Sequence, residues 1–127
     1  MGLSMTGAKI LLVDDTRLNR ELAKDILEMA GYQVLEAVCG KECIEKARQN
    51  KPDIILLDIE LPDMNGLEVI KVIKKDPEIN QILVVALTGH DQPEEQKNFL
   101  AAGFAGFIPK PFDIKKFPQI VAKFLKS

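Results

Sequence analysis

The chain is poor in the side chains that build zinc centres. Across 127 residues it has two cysteines, Cys39 and Cys43, and one histidine, His90. A tetrahedral zinc site needs more nitrogen or sulfur donors than one nearby thiol pair offers. The two cysteines read instead as small, reduced, half-buried side chains, with a redox switch as the alternative. No apolar run approaches the length that crosses a bilayer, and no charged-then-apolar leader opens the sequence; the expectation is a soluble, cytoplasmic protein with no membrane partner. Basic residues are not in excess either. Lys and Arg number 17 against 19 Asp and Glu, a formal net charge of -2, and their scatter gives no electrostatic case for nucleic acid. Internal repeats, low-complexity stretches, linkers and a DNA-binding helix pair are missing as well.

What remains is a chain that is 46% apolar, enough for one domain with one sizeable core. Residues 1–7 read as a flexible N-terminal tail or expression remnant, and 8–127 as the domain. Strand-like and helix-like segments alternate five times. The strands fall at about 9–13, 33–37, 53–57, 82–87 and 104–108, and several are continuous apolar runs of the kind covered by helices on both faces. The helices fall at about 16–30, 41–49, 66–75, 93–102 and 114–126. The first shows Leu18, Leu22, Ile26 and Met29 on one stripe and stops at Gly31; the third buries Leu67, Ile70 and Ile73. Pro118 inside the last is awkward and predicts a late start or a bend after an Asp113 N-cap. Alternation with short loops implies right-handed crossovers and a parallel sheet. The predicted class is α/β: a flavodoxin-like (βα)5 three-layer sandwich, its five-stranded sheet in the order 2-1-3-4-5.

That order gives the charged residues their meaning. Asp14 and Asp15 follow the run Ile10 to Val13, Asp58 follows Ile54 to Leu57, and Lys110 follows Phe104 to Ile108 and Pro109. Carboxyl ends of parallel strands converge on one edge, where open α/β sheets bind ligands. Three carboxylates there repel unless a counter-charge is supplied, and a hard divalent cation with Lys110 supplies it. Magnesium accepts one or two carboxylates plus phosphate oxygens and water. Asp15 and Asp58 are the expected direct ligands, with Asp14 acting through water and the backbone carbonyl of Glu60 completing the protein share. An aspartate beside such an ion can attack phosphorus, and phosphoryl transfer needs positioning and charge neutralisation more than a histidine base. Thr88 can donate its hydroxyl to a phosphoryl oxygen or simply cap the strand end, and Gly89 leaves room for a backbone amide to approach the same group. The Lys110–Pro111 bond is a cis-peptide candidate.

Lys9 to Asp15, Asp58 with Leu61-Pro62 and Gly66, Ala86-Leu87-Thr88-Gly89, and Lys110-Pro111-Phe112 together resemble the receiver domains of bacterial two-component response regulators, whose fold is that of the chemotaxis regulator. The resemblance covers about residues 8–126. It implies that Asp58 is the phosphoacceptor, that Asp14 and Asp15 bind Mg2+ (with Mn2+ as a substitute), and that Thr88 and Lys110 read the phosphoryl group. The implied donor is a phosphohistidine on a sensor histidine kinase or a histidine phosphotransfer protein. The implied output surface is the fourth helix, fifth strand and fifth helix, about Pro93 to Lys126, presented to a partner or a fused output domain. Phe107 matches the family's rotating aromatic, usually tyrosine, and reads equally as a plain core residue. Glu60 and His90 flank the site and are placed to tune dephosphorylation. On this reading the chain is not an enzyme beyond accepting a phosphoryl group and losing it by autodephosphorylation. The enzymatic alternative is a haloacid-dehalogenase-like phosphohydrolase with Asp58 as nucleophile. It would have Glu60 as the acid and leave the Asp14-Asp15 pair unexplained.

Overall fold

The computed structural model describes residues 7–89, 93–110 and 115–126. Strands and helices alternate as β1 (Lys9–Val13), α1 (Arg17–Met29), β2 (Gln33–Ala37), α2 (Gly40–Asn50), β3 (Ile54–Asp58), α3 (Gly66–Lys75), β4 (Leu83–Thr88), α4 (Pro93–Ala102), β5 (Gly106–Pro109) and α5 (Phe117–Lys126). The strands pair in parallel in the order β2-β1-β3-β4-β5. Parallel neighbours require a crossover, and each intervening helix is one.

Side chains alternate across the sheet and divide the core in two. Leu11, Val13, Ile55, Leu57, Val84 and Ala86 face one way, onto Cys43 and Ala47 of α2, Val69, Ile70 and Ile73 of α3, and Phe99 of α4. Ile10, Leu12, Ile54, Leu56, Val85 and Leu87 face the other way, onto Ala23, Ile26 and Leu27 of α1 and Phe117 and Val121 of α5. The central strands are apolar on both faces because both faces are covered. Each fully buried Leu or Ile there contributes roughly 1.5–3 kcal/mol relative to exposure.

Several boundaries show their cause. Gly31 takes a φ of 98° just past α1, a left-handed turn that a side chain resists. Asn65 accepts the Glu68 amide and Glu68 reaches back to the Asn65 amide, a capping box that starts α3. Asp63 caps α2 from a distance: its two carboxylate oxygens accept the amides of Gly40 at 2.8 Å and Lys41 at 3.0 Å. Those bonds hold the Asp63 carboxyl below its ordinary range. α5 begins at Phe117, later than residue 114, and so places Pro118 in the first turn, where amides have no intrahelical partner to lose. Asp113, the expected cap, lies outside the described residues. Gly106 on β5 lies under Phe124 of α5, and a Cβ there would come within 2.6 Å of the ring.

The expected inward stripe of α1 is corrected. Leu18, Leu22 and Met29 are exposed, at 78%, 47% and 89%. Of that stripe Ile26 is buried as expected, and Ala23 and Leu27 join it against the sheet. The helix is turned so that these three lie closest to the strands, leaving Leu18, Leu22 and Met29 outside. Leu67 of α3 is likewise only partly buried, and Val69 takes its place in the core. Both cysteines are free thiols, Cys39 half-buried and Cys43 fully buried. Burial pushes the Cys43 thiol up to about 12.

Candidate functional site

Register brings the acids together. Val13 lies beside Leu57 in the β1–β3 ladder, so the next residues, Asp14 and Asp58, emerge side by side at the carboxyl edge. β3 runs one residue further than expected because Asp58 still pairs with Leu87 of β4. Carboxylate oxygens of Asp14, Asp15 and Asp58 all lie within 4.8 Å of one another. Asp14 and Asp58 are buried and Asp15 is exposed.

Each buried acid is pinned locally. The Thr16 amide donates to Asp14 Oδ1 at 2.9 Å, and the Asp14 amide donates to the Ala37 carbonyl of β2 at 3.2 Å. Asp58 Oδ1 accepts the Glu60 amide at 3.0 Å. Lys110 arrives from the far side of the sheet. Its amide extends the β4–β5 ladder by donating to the Thr88 carbonyl at 2.8 Å. Its ammonium donates to Asp58 Oδ2 at 2.8 Å and to Asp14 Oδ2 at 3.3 Å. One ammonium thus faces three carboxylates.

The electrostatics follow from that count. Burial pushes the Asp58 carboxyl above its ordinary value, and the Asp14 charge adds to the push; the Lys110 and Glu60 hydrogen bonds offset part of it. Burial works against the Lys110 charge, but the bond to Asp58 and the charges of Asp58 and Asp14 outweigh it and hold the ammonium above its ordinary value. The negative excess and the all-oxygen donor set suit a hard divalent cation with near-octahedral demands.

Asp15 and Asp58 line a cleft of about 490 Å³ together with Glu60, Thr88, Gly89 and Lys110. Thr88 is buried at 2% exposure, whereas Gly89 and Glu60 are exposed. Thr88, Lys110 and Asp58 all border this one cleft. Phe107 is half-buried, stands beside Ala86 in the β4–β5 ladder and packs against the core that includes Phe99 and Phe104. His90 and Pro111, with its candidate cis bond, lie outside the described residues.

Two side chains near the site escaped sequence reasoning. Arg20 of α1 donates to the Asp14 carbonyl at 3.0 Å and to Glu36 of β2 at 3.1 Å. Asp63 ties the loop after Asp58 to α2. Both act between elements distant in sequence, and only a polar residue at an otherwise unremarkable position signals them.

The model of the response regulator receiver domain matches residues 10–122. The polar-differentiation response regulator DivK of Brucella anthropi is 34% identical over 116 residues, which cover 91% of this chain and 94% of DivK. Among solved structures, the chemotaxis response regulator CheY4 of Vibrio cholerae superposes with a TM-score of 0.88 at 30% identity, covering 93% of this chain and 98% of CheY4. The receiver domain of the sensor histidine kinase PA1611 of Pseudomonas aeruginosa, solved with a magnesium ion coordinated in its active-site cleft, superposes with a TM-score of 0.87 at 27% identity, covering 96% of this chain and all (100%) of that one. The residue pattern, the strand order and the acidic cleft thus meet in one conclusion: this chain belongs to the receiver domains of two-component response regulators.

Proposed function

We propose that Asp58 accepts a phosphoryl group from a phosphohistidine and that the charge so added switches the α4-β5-α5 surface. The observation that carries this reading is the Lys110 ammonium bonded to both Asp58 and Asp14 across the sheet edge. Asp14, Asp15 and Asp58, with the Glu60 carbonyl, would hold Mg2+, or Mn2+ in its place. Bound there, the cation would neutralise charge on the transferring group.

The chain's own residues supply the rest. The Glu60 amide and Lys110 orient the Asp58 carboxylate. A carboxylate oxygen forms the new bond to phosphorus as the donor's P–N bond breaks, the electron pair returning to the imidazole. Lys110 then exchanges a carboxylate oxygen for a phosphoryl oxygen. The Thr88 hydroxyl and the backbone at Gly89 take up others, and Phe107, packed at the edge of a core, follows Thr88 inward. A set built to bind and neutralise charge suits acceptance and slow autodephosphorylation rather than turnover of phosphate esters.

A protein donor, either a sensor histidine kinase or a histidine phosphotransfer protein, fits the surroundings. Asp15 and Thr16 line the cleft, and the exposed Leu18 and Leu22 follow them directly on α1, an apolar strip that a partner helix could cover. The output partner, or a fused output domain, would read α4-β5-α5. Among the described residues no helix is long and apolar enough to cross a membrane; we place the chain in the cytoplasm, and its net charge of -2 gives no electrostatic pull toward nucleic acid.

Incubation with a small acyl phosphate and Mg2+ tests the proposal by intact mass. One base-labile, acid-stable phosphoryl group is expected on the unsubstituted chain and none on Asp58→Asn. Equal labelling of both proteins would overturn the assignment of Asp58, and sustained release of phosphate from esters would favour the phosphohydrolase.

A further inference from the structure

We propose that Arg20 is a positioning residue for the metal-binding turn: it aims the Asp14–Asp15 peptide, and through it the Asp15 carboxylate, by clamping that peptide to β2. The inference rests on the magnesium reading given above.

Arg20 is the fourth residue of α1, with its side chain only 15% exposed. Its guanidinium joins three elements. Nη1 donates to the Asp14 carbonyl at 3.0 Å, and Nε donates to Glu36 Oε1 of β2 at 3.1 Å. The second carboxylate oxygen of Glu36 is taken by Lys24 of α1 at 3.2 Å. Glu36 is therefore held from both sides and serves as a fixed anchor for the guanidinium.

The geometric consequence runs through the peptide bond. The Asp14 carbonyl and the Asp15 amide share one rigid plane. Fixing the direction of the carbonyl fixes the orientation at which Asp15 leaves the turn. Asp14 has other restraints, since Thr16 and Lys110 both bond its carboxylate. Asp15 is exposed and depends far more on the backbone that carries it. Magnesium demands near-ideal octahedral geometry, so it is sensitive to where such a ligand points. The guanidinium meets the carbonyl and Glu36 through two nitrogens held a fixed distance apart in one plane, Nη1 and Nε; a lysine would have to reach both acceptors from a single nitrogen and offers no such fixed fork.

A rival account makes the opposite forecast. If Arg20 mattered only as a cation near three acids, it would oppose Mg2+, and its removal would tighten binding. If it mattered only for folding, its loss would lower the melting temperature and leave Mg2+ affinity alone. Titration calorimetry with Mg2+ on the unsubstituted chain, Arg20→Lys and Arg20→Met separates these, with thermal melts and the Asp15 amide resonance of the metal-free proteins recorded alongside. The expected result is about a tenfold loss of Mg2+ affinity in both variants, the scale seen when a ligand's supporting partner is removed, with the Asp15 resonance shifted before any metal is added. Unchanged affinity in Arg20→Lys, or tighter binding in Arg20→Met, overturns the inference while leaving the site standing. Failure of the unsubstituted chain to bind Mg2+ overturns both. Arg20→Lys retains the stem and the charge, so it decides the matter alone if Arg20→Met does not fold.

Discussion

Replacing Asp58 by asparagine removes a charge that the metal-free fold holds at a cost. Lys110 lies 2.8 Å from Asp58, an attraction of about 6 kcal/mol at an effective dielectric near 20. Asp14 and Asp15 lie within 4.8 Å, and each repels Asp58 by about 3.5 kcal/mol on the same scale. The exposed Asp15 is screened by solvent, so attraction and repulsion nearly cancel and the burial of the carboxylate decides the sign. That agrees with burial being the leading cause of the raised Asp58 carboxyl. Asparagine keeps the shape and can still accept the Glu60 amide. Asp58→Asn is expected to stabilise the metal-free protein by about 1–2 kcal/mol, with each kcal/mol worth about 4 °C of melting temperature for a domain this size. The pH dependence has a definite sign. A carboxyl whose folded-state value is raised binds its proton more tightly when folded, so ionising it penalises the fold. The advantage of the variant is full above the raised value, shrinks as pH falls through it, and is gone below the ordinary carboxyl range. Melts in chelator across that window check this. Equal or lower stability of Asp58→Asn at neutral pH would refute the electrostatic account of the site.

Lys110→Met leaves three acids without their ammonium; it is expected to cost about 1–3 kcal/mol in metal-free buffer, reduced from the fully buried case because the lysine is partly exposed, and melts with and without Mg2+ should show the ion restoring more stability than it adds to the unsubstituted chain. Asp63→Ala removes the long-range cap of α2 and is expected to cost about 1 kcal/mol, with faster hydrogen exchange at the Gly40 and Lys41 amides as the local signature. The Cys43 thiol, buried and pushed up to about 12, should resist a thiol-specific reagent at pH 8 until the protein unfolds; rapid labelling of both cysteines in the native state would contradict the packing of α2.

The strands were legible because a sheet covered on both faces tolerates only apolar residues in its centre, and the runs at Ile10 to Val13 and Ile54 to Leu57 have no polar interruption. Alternation implied a parallel sheet, which put Asp14, Asp15, Asp58 and Lys110 on one edge, and the order expected of five strands covered on both faces made the three acids neighbours. The rotation of α1 was not legible. Leu18, Leu22 and Met29 are as hydrophobic as Ile26 and Leu27, and periodicity cannot say which of two overlapping apolar arcs meets the sheet. Ala23 carried the answer, since a short side chain lets the helix lie close, but a lone alanine is a weak signal. Arg20 and Asp63 were hidden for another reason. Asp63 meets two helix amides and Arg20 a backbone carbonyl, groups that nearly every residue possesses, and the one side-chain partner, Glu36 of β2, is sixteen residues from Arg20, so no local pattern announces them.

The bare backbone of Gly106 beneath the ring of Phe124 sets how closely the last helix rides on the edge strand. A single methyl at that position would run into the aromatic ring, and either the ring would swing aside or the helix would shift to accommodate it. The spacing of α5 from the sheet is thus tied to one missing carbon. If α4-β5-α5 is the output surface proposed above, alleles that mistune a partner's grip without touching the acidic cleft are to be sought there.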